Sequence, residues 1–172
     1  MTAVAGAAAW NVAPEHAVSG GLLAAAGLLL AVRLVRWWGW STWREPIVLI
    51  LHLGYLWLAV SILMLGCSIL EPEVMPQSAA LHALTAGAAG TMTLAVMTRA
   101  TLGHTGHAIE ADRATLAIYV AVSAGALLRV AAPLAPDVYL GLLVAGGALW
   151  SLAFGLFVLR YGPLLLRANH GP

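Results

Sequence analysis

Five long apolar stretches alternate with short segments that carry most of the charged and proline residues of the chain. The stretches lie at approximately residues 17–35, 46–70, 78–101, 114–132 and 138–161. Each is close to the roughly 20 apolar residues that an α-helix needs to cross the hydrocarbon core of a bilayer. Pro46 stands at the start of the second stretch, where the missing N–H of a proline costs nothing. The pattern predicts an all-α fold: an integral membrane bundle of five transmembrane helices that forms one domain over residues 1–172.

The segments outside these stretches have distinct compositions. Residues 1–14 are small and mildly apolar, and we predict a surface segment there. Residues 37–45, WWGWSTWRE, contain four tryptophans, which is typical of the aromatic belt at a membrane interface. Residues 71–76, EPEVMP, predict an acidic turn, and residues 132–137, APLAPD, predict a proline turn. Pro163 predicts the end of the last helix, because a proline inside a helix removes a hydrogen bond.

The overall composition supports a membrane protein. The chain is 62% hydrophobic and 9% charged, whereas soluble domains carry about 25% charged residues. The bilayer is therefore the expected surrounding of the chain, and the net charge of +1 gives no indication of a nucleic acid partner. Cys67 is the one cysteine, which excludes an intrachain disulfide.

The charged residues are distributed unevenly between the two ends of the predicted bundle. We call the end that carries residues 37–45 and 103–107 side A, and the opposite end side B. Seven arginines lie at side A: Arg33, Arg36, Arg44, Arg99, Arg113, Arg160 and Arg167. Side B carries one arginine and several acids: Arg129, Glu15, Glu71, Glu73 and Asp137. The positive-inside rule predicts that side A is cytoplasmic, so that the N-terminus faces out and the C-terminus faces the cytoplasm.

Ionisable residues inside the predicted spans are the first candidates for a functional site, because burying them in a membrane is costly. By depth, His52, Arg99 and His104 belong to side A, whereas His82 and Arg129 belong to side B. His52 and His82 lie at different depths, so we do not expect them to ligate one metal ion. Each histidine also has a structural interpretation as a hydrogen-bond partner between helices, and Arg99 as a cation reaching the headgroups.

Two further expectations concern the third stretch. We predict that Gly103 ends this helix in a left-handed conformation and folds His104 back, close to His52, so that both imidazoles could hold a metal or the edge of a haem. The small residues of the same helix, among them Ala86, Gly87 and Gly90, favour close helix packing, with room for a flat macrocycle at His82 as the alternative.

Sulfur ligands for copper are a weaker possibility. Met64, Cys67, Met75 and His82 all lie toward side B and include donors that Cu(I) prefers. Core packing is the more common role of such methionines. The chain has no nucleophile elbow, phosphate loop or dinucleotide fingerprint, and the sequence does not decide whether it catalyses a reaction.

Three segments resemble the NnrS family of membrane proteins. They are LHLGYLWL at 51–58, ALHALTAGAAGTMTLAVMTRATLGHTG at 80–106 and ALLRVAAPL at 126–134. The resemblance covers residues 44–166 and implies correspondence to the second, C-terminal half of longer proteins. It implies haem, expected as haem b, copper, and a link to nitric oxide stress. A homodimer or a second membrane subunit would then replace the missing half.

The resemblance also implies which residues bind a cofactor. Matched by motif, these are His52, Tyr55, His82, Arg99, His104 and Arg129, with His52, His82 and His104 as the metal ligands. The alternative is a structural or assembly subunit whose histidines only connect helices. A transporter is disfavoured, because the sequence has no inverted repeats or paired broken helices.

Overall fold

The computed structural model describes residues 2–37 and 42–166, and all regular structure in these ranges is helical. The helices are α1 (Thr2–Val12), α2 (Ala17–Arg36), α3 (Pro46–Leu70), α4 (Gln77–His82), α5 (Gly90–His104), α6 (Arg113–Ala131) and α7 (Tyr139–Leu166). A π-helical segment (Ala83–Ala89) joins α4 to α5, and two short 3-10 turns (Ala132–Leu134 and Pro136–Val138) join α6 to α7.

Within the described ranges, five helices are long and apolar enough to cross a membrane. They are Ala17–Arg36, Pro46–Leu70, Gln77–His104, Arg113–Leu134 and Pro136–Leu166. The third of them is the continuous rod formed by α4, the π segment and α5. The expected all-α membrane bundle is therefore confirmed for the described residues.

Three local expectations need correction or refinement. Residues 2–12, within the expected surface segment, form the helix α1, and its Gly6 lies close to α2: a Cβ added at Gly6 would come within 3.2 Å of Leu23 Cδ2. Pro163 does not end the last helix, which continues to Leu166. A proline removes only one backbone hydrogen bond, and membrane helices tolerate it where neighbouring groups compensate.

The end of α5 also differs from the prediction. The glycine with a left-handed backbone is Gly106, with φ of 71°, and not Gly103. The Gly106 N–H donates to the Gly103 carbonyl at 3.4 Å, and the His107 N–H donates to the Leu102 carbonyl at 2.9 Å. This is the hydrogen-bond pattern of a Schellman motif. Because the turn comes three residues later than expected, His104 remains on the helix as its last residue.

The helices pack in an order that places α3 and the α4–π–α5 rod at the centre. α2 packs on one side of α3, the rod packs between α3 and α6, and α7 packs on α6 and α5. Leu94, Ile118 and Val122 are fully buried in the largest apolar cluster, which lies between α3, α5, α6 and α7. The rod therefore contacts most of the other spanning helices, and its π segment lies inside this arrangement.

Candidate functional site

The π segment begins directly after His82 and changes the hydrogen bonding of the rod. The Gly90 N–H donates to the carbonyl of Thr85, five residues earlier, as well as to that of Gly87. The carbonyl of Ala86 accepts a hydrogen bond from the indole Nε1 of Trp150 on α7, at 3.3 Å. Short π segments inside α-helices are frequently found at functional sites, because they place backbone groups where a regular helix does not.

Two tryptophan rings cover the glycines of this region. A Cβ at Gly87 would come within 2.6 Å of the Trp57 ring, and a Cβ at Gly90 within 2.5 Å of Trp150 Nε1. The space beside these two glycines is therefore occupied by the indole rings of Trp57 and Trp150. This contact supports the packing interpretation of the small residues over the macrocycle interpretation, at Gly87 and Gly90 themselves.

A cavity of about 370 Å³ lies next to the π segment and is shared by three elements. Its walls are formed by Thr85, Ala86, Arg129, Gly147, Trp150 and Ser151. Gly147 leaves space for the arginine, because a Cβ there would come within 3.2 Å of a terminal guanidinium nitrogen of Arg129. The cavity thus combines the apolar indole wall of Trp150, the side chains of Thr85 and Ser151, and the cation of Arg129.

Arg129 and His82 lie within electrostatic range of each other at side B, in agreement with their predicted depths. The side chain of Arg129 is half-buried and lies close enough to His82 for the two to interact electrostatically. The only ion pair among the described residues joins Arg160 and Asp112, so Arg129 has no acidic partner in this part of the chain. An unpaired guanidinium inside a membrane span is costly. An anionic group of a bound ligand would lower that cost.

His52 lies on α3, whereas His82 and Arg129 lie on α4 and α6. Its Nδ1 donates a hydrogen bond to the carbonyl of Val48 at 3.0 Å, which leaves Nε2 of the neutral ring as an acceptor. The ring lines an apolar groove of about 270 Å³ between α2 and α3. The remaining walls are Ala31, Leu34, Val35, Leu49, Leu53 and Leu56.

The other side A candidates do not share this groove. Arg99 lines a separate cavity between the start of α3, α5 and residues 109–111, and His104 is exposed at the end of α5. The ring of Tyr55 packs against Trp37, with ring centroids 4.9 Å apart, and its buried hydroxyl has no hydrogen-bond partner among the described residues. The structure therefore places His52, Arg99 and His104 in three different surroundings.

A polar cluster at the start of α6 was not among the sequence candidates. Asp112 caps α6 by accepting from the Thr115 N–H at 2.8 Å and from the Thr115 hydroxyl at 2.7 Å. It also accepts from Arg160 Nε at 2.7 Å. Thr115 and Tyr161 are both fully buried and share a short hydrogen bond of 2.5 Å. The available signal was an aspartate just before the fourth apolar stretch, since aspartate is a preferred N-cap residue.

Comparison with known proteins gives a family for nearly the whole chain. The family model described as "NnrS protein" matches residues 1–169. The chain belongs to the NnrS family. No curated protein and no solved structure matches the chain significantly.

The extent of the NnrS match corrects one expectation. The resemblance was expected to begin near residue 44, but the match includes α1 and α2. Correspondence to the C-terminal half of longer NnrS proteins stays a prediction.

A cluster of metal-ligating side chains is not seen in the described part of this NnrS chain. No three His, Cys, Asp or Glu side chains come together within residues 2–37 and 42–166, so His52, His82 and His104 do not form one metal site. Met64 packs against the buried cluster around Trp57, which supports core packing as its role.

Haem fits better, because its binding needs fewer protein donors. One imidazole suffices as an axial ligand of the iron, and guanidinium groups pair well with carboxylates such as propionates. Arg129 lines the cavity and supplies the guanidinium, and His82, within electrostatic range of Arg129, supplies the imidazole. At about 370 Å³, the cavity lies within the usual range of ligand pockets.

Proposed function

We propose that this NnrS-family membrane protein binds haem b beside the π segment and acts in nitric oxide tolerance. One observation carries the proposal. At side B of the membrane domain, the His82 imidazole lies within electrostatic range of the Arg129 guanidinium, which has no acidic partner among the described residues. One haem would bind both side chains, because its iron takes an imidazole nitrogen as a ligand and its propionate carboxylates accept hydrogen bonds from a guanidinium.

The chain's own residues have separate roles in this proposal. His82 ligates the cofactor, and Arg129 pairs with its anionic edge. Trp150 forms an apolar wall and is held in place by its hydrogen bond to the Ala86 carbonyl. When bound, haem supplies an iron centre that can interact with nitric oxide. The apolar wall limits access of water to that centre.

His52 is proposed as a second ligand in a site of its own. A ligating histidine usually donates its other ring N–H to a carbonyl or carboxylate, which fixes the ring and leaves one nitrogen for the metal. The bond from His52 Nδ1 to the Val48 carbonyl has this form. Tyr55, Arg99 and His104 stay in the proposal as residues carried over from the family motif.

The experiment is haem analysis of the purified full chain with three variants. We expect a Soret band in the parent protein and its loss in His82→Ala. Arg129→Gln should weaken haem affinity about 10- to 100-fold, as expected for one charge-assisted hydrogen bond. His107→Ala is the matched control, because its exposed side chain hydrogen-bonds to Thr105 at the end of α5; it should keep the full haem content.

Retention of all haem in His82→Ala would contradict the proposed ligand. A colourless parent protein with intact helices would favour the second candidate function, a structural or assembly subunit. The contacts of Trp57 with Gly87 and of Trp150 with Gly90 favour that role, because they show these small residues engaged in helix packing. In cells, a strain carrying His82→Ala should grow like the deletion strain under nitric oxide if haem binding underlies tolerance.

The arrangement in the membrane is part of the same proposal. Side A faces the cytoplasm of a bacterial inner membrane, and the N-terminus faces the periplasm. The arginine distribution supports this orientation; Arg167 lies outside the described residues. A second copy of the chain or another membrane subunit is the proposed partner that completes the assembly.

A further inference from the structure

The largest of the cavities described above lies at side A, away from the proposed haem site. It has a volume of about 650 Å³ and is lined by Arg44, Glu45, Pro46, Ile47, Val48, Arg99, Ile109, Glu110 and Ala111. These residues come from the start of α3, from α5 and from the segment that precedes α6. Because all three are near the ends of spanning helices, the cavity lies at the level where a bilayer has its headgroups.

Two cations and two anions line this cavity without pairing with each other. The only N···O contact within 4.0 Å between charged side chains of the described residues joins Arg160 and Asp112. Arg44, Arg99, Glu45 and Glu110 therefore face the same space as separate charges. All four side chains are exposed, so a ligand that carries both signs of charge can reach them.

The walls favour a ligand with a polar head and an apolar body. The guanidinium of Arg44 lies 4.8 Å from the centroid of the Trp43 ring, a contact that orients an arginine while its edge N–H groups remain free. Ile47 and Ile109 give the same cavity an apolar wall. A free inorganic anion would use the arginines and leave the carboxylates and the apolar wall without a partner.

The geometry points to a binding site for phosphatidylethanolamine, a phospholipid whose headgroup carries one phosphate and one primary ammonium. The phosphate accepts N–H groups from Arg44 and Arg99, and the ammonium donates to the carboxylates of Glu45 and Glu110. Phosphatidylglycerol lacks the ammonium and would bring a negative charge toward both glutamates. Phosphatidylcholine has a quaternary nitrogen, which cannot donate a hydrogen bond to them.

The test compares short-chain phospholipids on the delipidated full chain by native mass spectrometry. We expect dihexanoyl phosphatidylethanolamine to bind at least about tenfold more tightly than the choline analogue, from the charge-assisted hydrogen bonds that only the primary ammonium makes. Glu110→Gln should remove most of this preference. Arg99→Gln should weaken both the ethanolamine and the glycerol lipid, because both offer a phosphate.

Arg36→Gln is the matched control, since Arg36 lies at the same end of the bundle but lines a different cavity; it should bind like the parent. Equal affinity of the parent chain for the ethanolamine and choline lipids would overturn the inference without any variant. Competition by inorganic phosphate at the concentration of the lipid would overturn it as well, in favour of a free-anion site. An equal loss of lipid binding in Arg36→Gln and Arg99→Gln would also overturn the inference, because it would indicate a general effect of surface charge.

Discussion

At the scale of single residues, Asp112 is the best-connected ionisable group in the described chain. It caps α6, bonds to the buried Thr115 and forms the ion pair with Arg160 of α7. Partial burial by itself would raise the pKa of this carboxyl. The hydrogen bonds from Thr115 and the hydrogen bond and charge of Arg160 outweigh burial and hold the pKa of Asp112 at about 2, below its ordinary 3.8.

This lowered pKa predicts a stability change in acid. The folded state favours the ionised carboxylate, so its stabilising contribution is complete above about pH 4 and is lost as the pH falls through about 2. The side chain is 44% exposed, so solvent screening limits the contribution to about 1 kcal/mol. Asp112→Asn keeps a capping residue but should show no loss in this pH window.

The measurement is unfolding of the detergent-solubilised protein between pH 2 and 5, followed by circular dichroism. Asp137→Asn is the control, because Asp137 is exposed and forms no ion pair among the described residues. It should follow the parent curve. An Asp112→Asn variant that loses as much stability as the parent between about pH 4 and 2 would contradict the role of this carboxylate.

At the scale of elements, glycine allows α2 and α3 to approach each other closely. A Cβ at Gly66 would come within 2.4 Å of the Ala24 backbone nitrogen and within 2.7 Å of the Gly20 carbonyl oxygen. On the other helix, a Cβ at Gly27 would come within 2.5 Å of the Leu63 nitrogen. In membranes, helix association depends on such close packing, because lipid is as apolar as the side chains and gives no hydrophobic driving force.

Gly66→Ala should therefore separate α2 from α3. The clash is with backbone atoms, which cannot rotate away, and we expect a loss of about 1–3 kcal/mol, as for overpacking in a core. Gly21→Ala on α2 is the matched control, since a Cβ there meets nothing within 4 Å. Unfolding in increasing amounts of a denaturing detergent measures both. Equal stability of the two variants would show that this contact is not tight in the membrane.

At the scale of the whole molecule, the arginines at side A predict the direction of insertion. The acidic turn at residues 71–76 and the segment between α6 and α7 share side B, whereas the turn around Gly106 belongs to side A. Cytoplasmic loops are enriched in arginine and lysine. The first spanning helix α2 also carries Arg33 and Arg36 in its last turn, at side A.

We predict that Val74 and Ala135 face the periplasm and that Gly106 faces the cytoplasm. Single cysteines at these positions, in a background with Cys67→Ser, should react with a membrane-impermeant reagent in intact cells only at residues 74 and 135. After permeabilisation, the cysteine at 106 should react too, which serves as the internal control. If the cysteine at residue 74 did not react in intact cells, the result would contradict the predicted orientation.

The sequence alone determined the helices that cross the membrane. α3 begins and ends where hydropathy placed it, at Pro46 and Leu70. α2 ends one residue later than expected, and α6 begins and ends one residue earlier than expected. Hydropathy is a local property, and the length of a spanning helix follows from bilayer thickness. The shared depth of His82 and Arg129 followed in the same way, from counting residues along helices of known rise.

Only the tertiary structure decided which helix faces meet. His52 and Arg99 share side A, yet one lines a groove with α2 and the other a cavity with Arg44 and Glu110. Spanning helices are apolar on every side, so the usual contrast between a buried and a solvated face is missing from the sequence. The π segment, the indole rings over Gly87 and Gly90, and the helix through Pro163 likewise depend on contacts between segments distant in the chain, which no local pattern encodes.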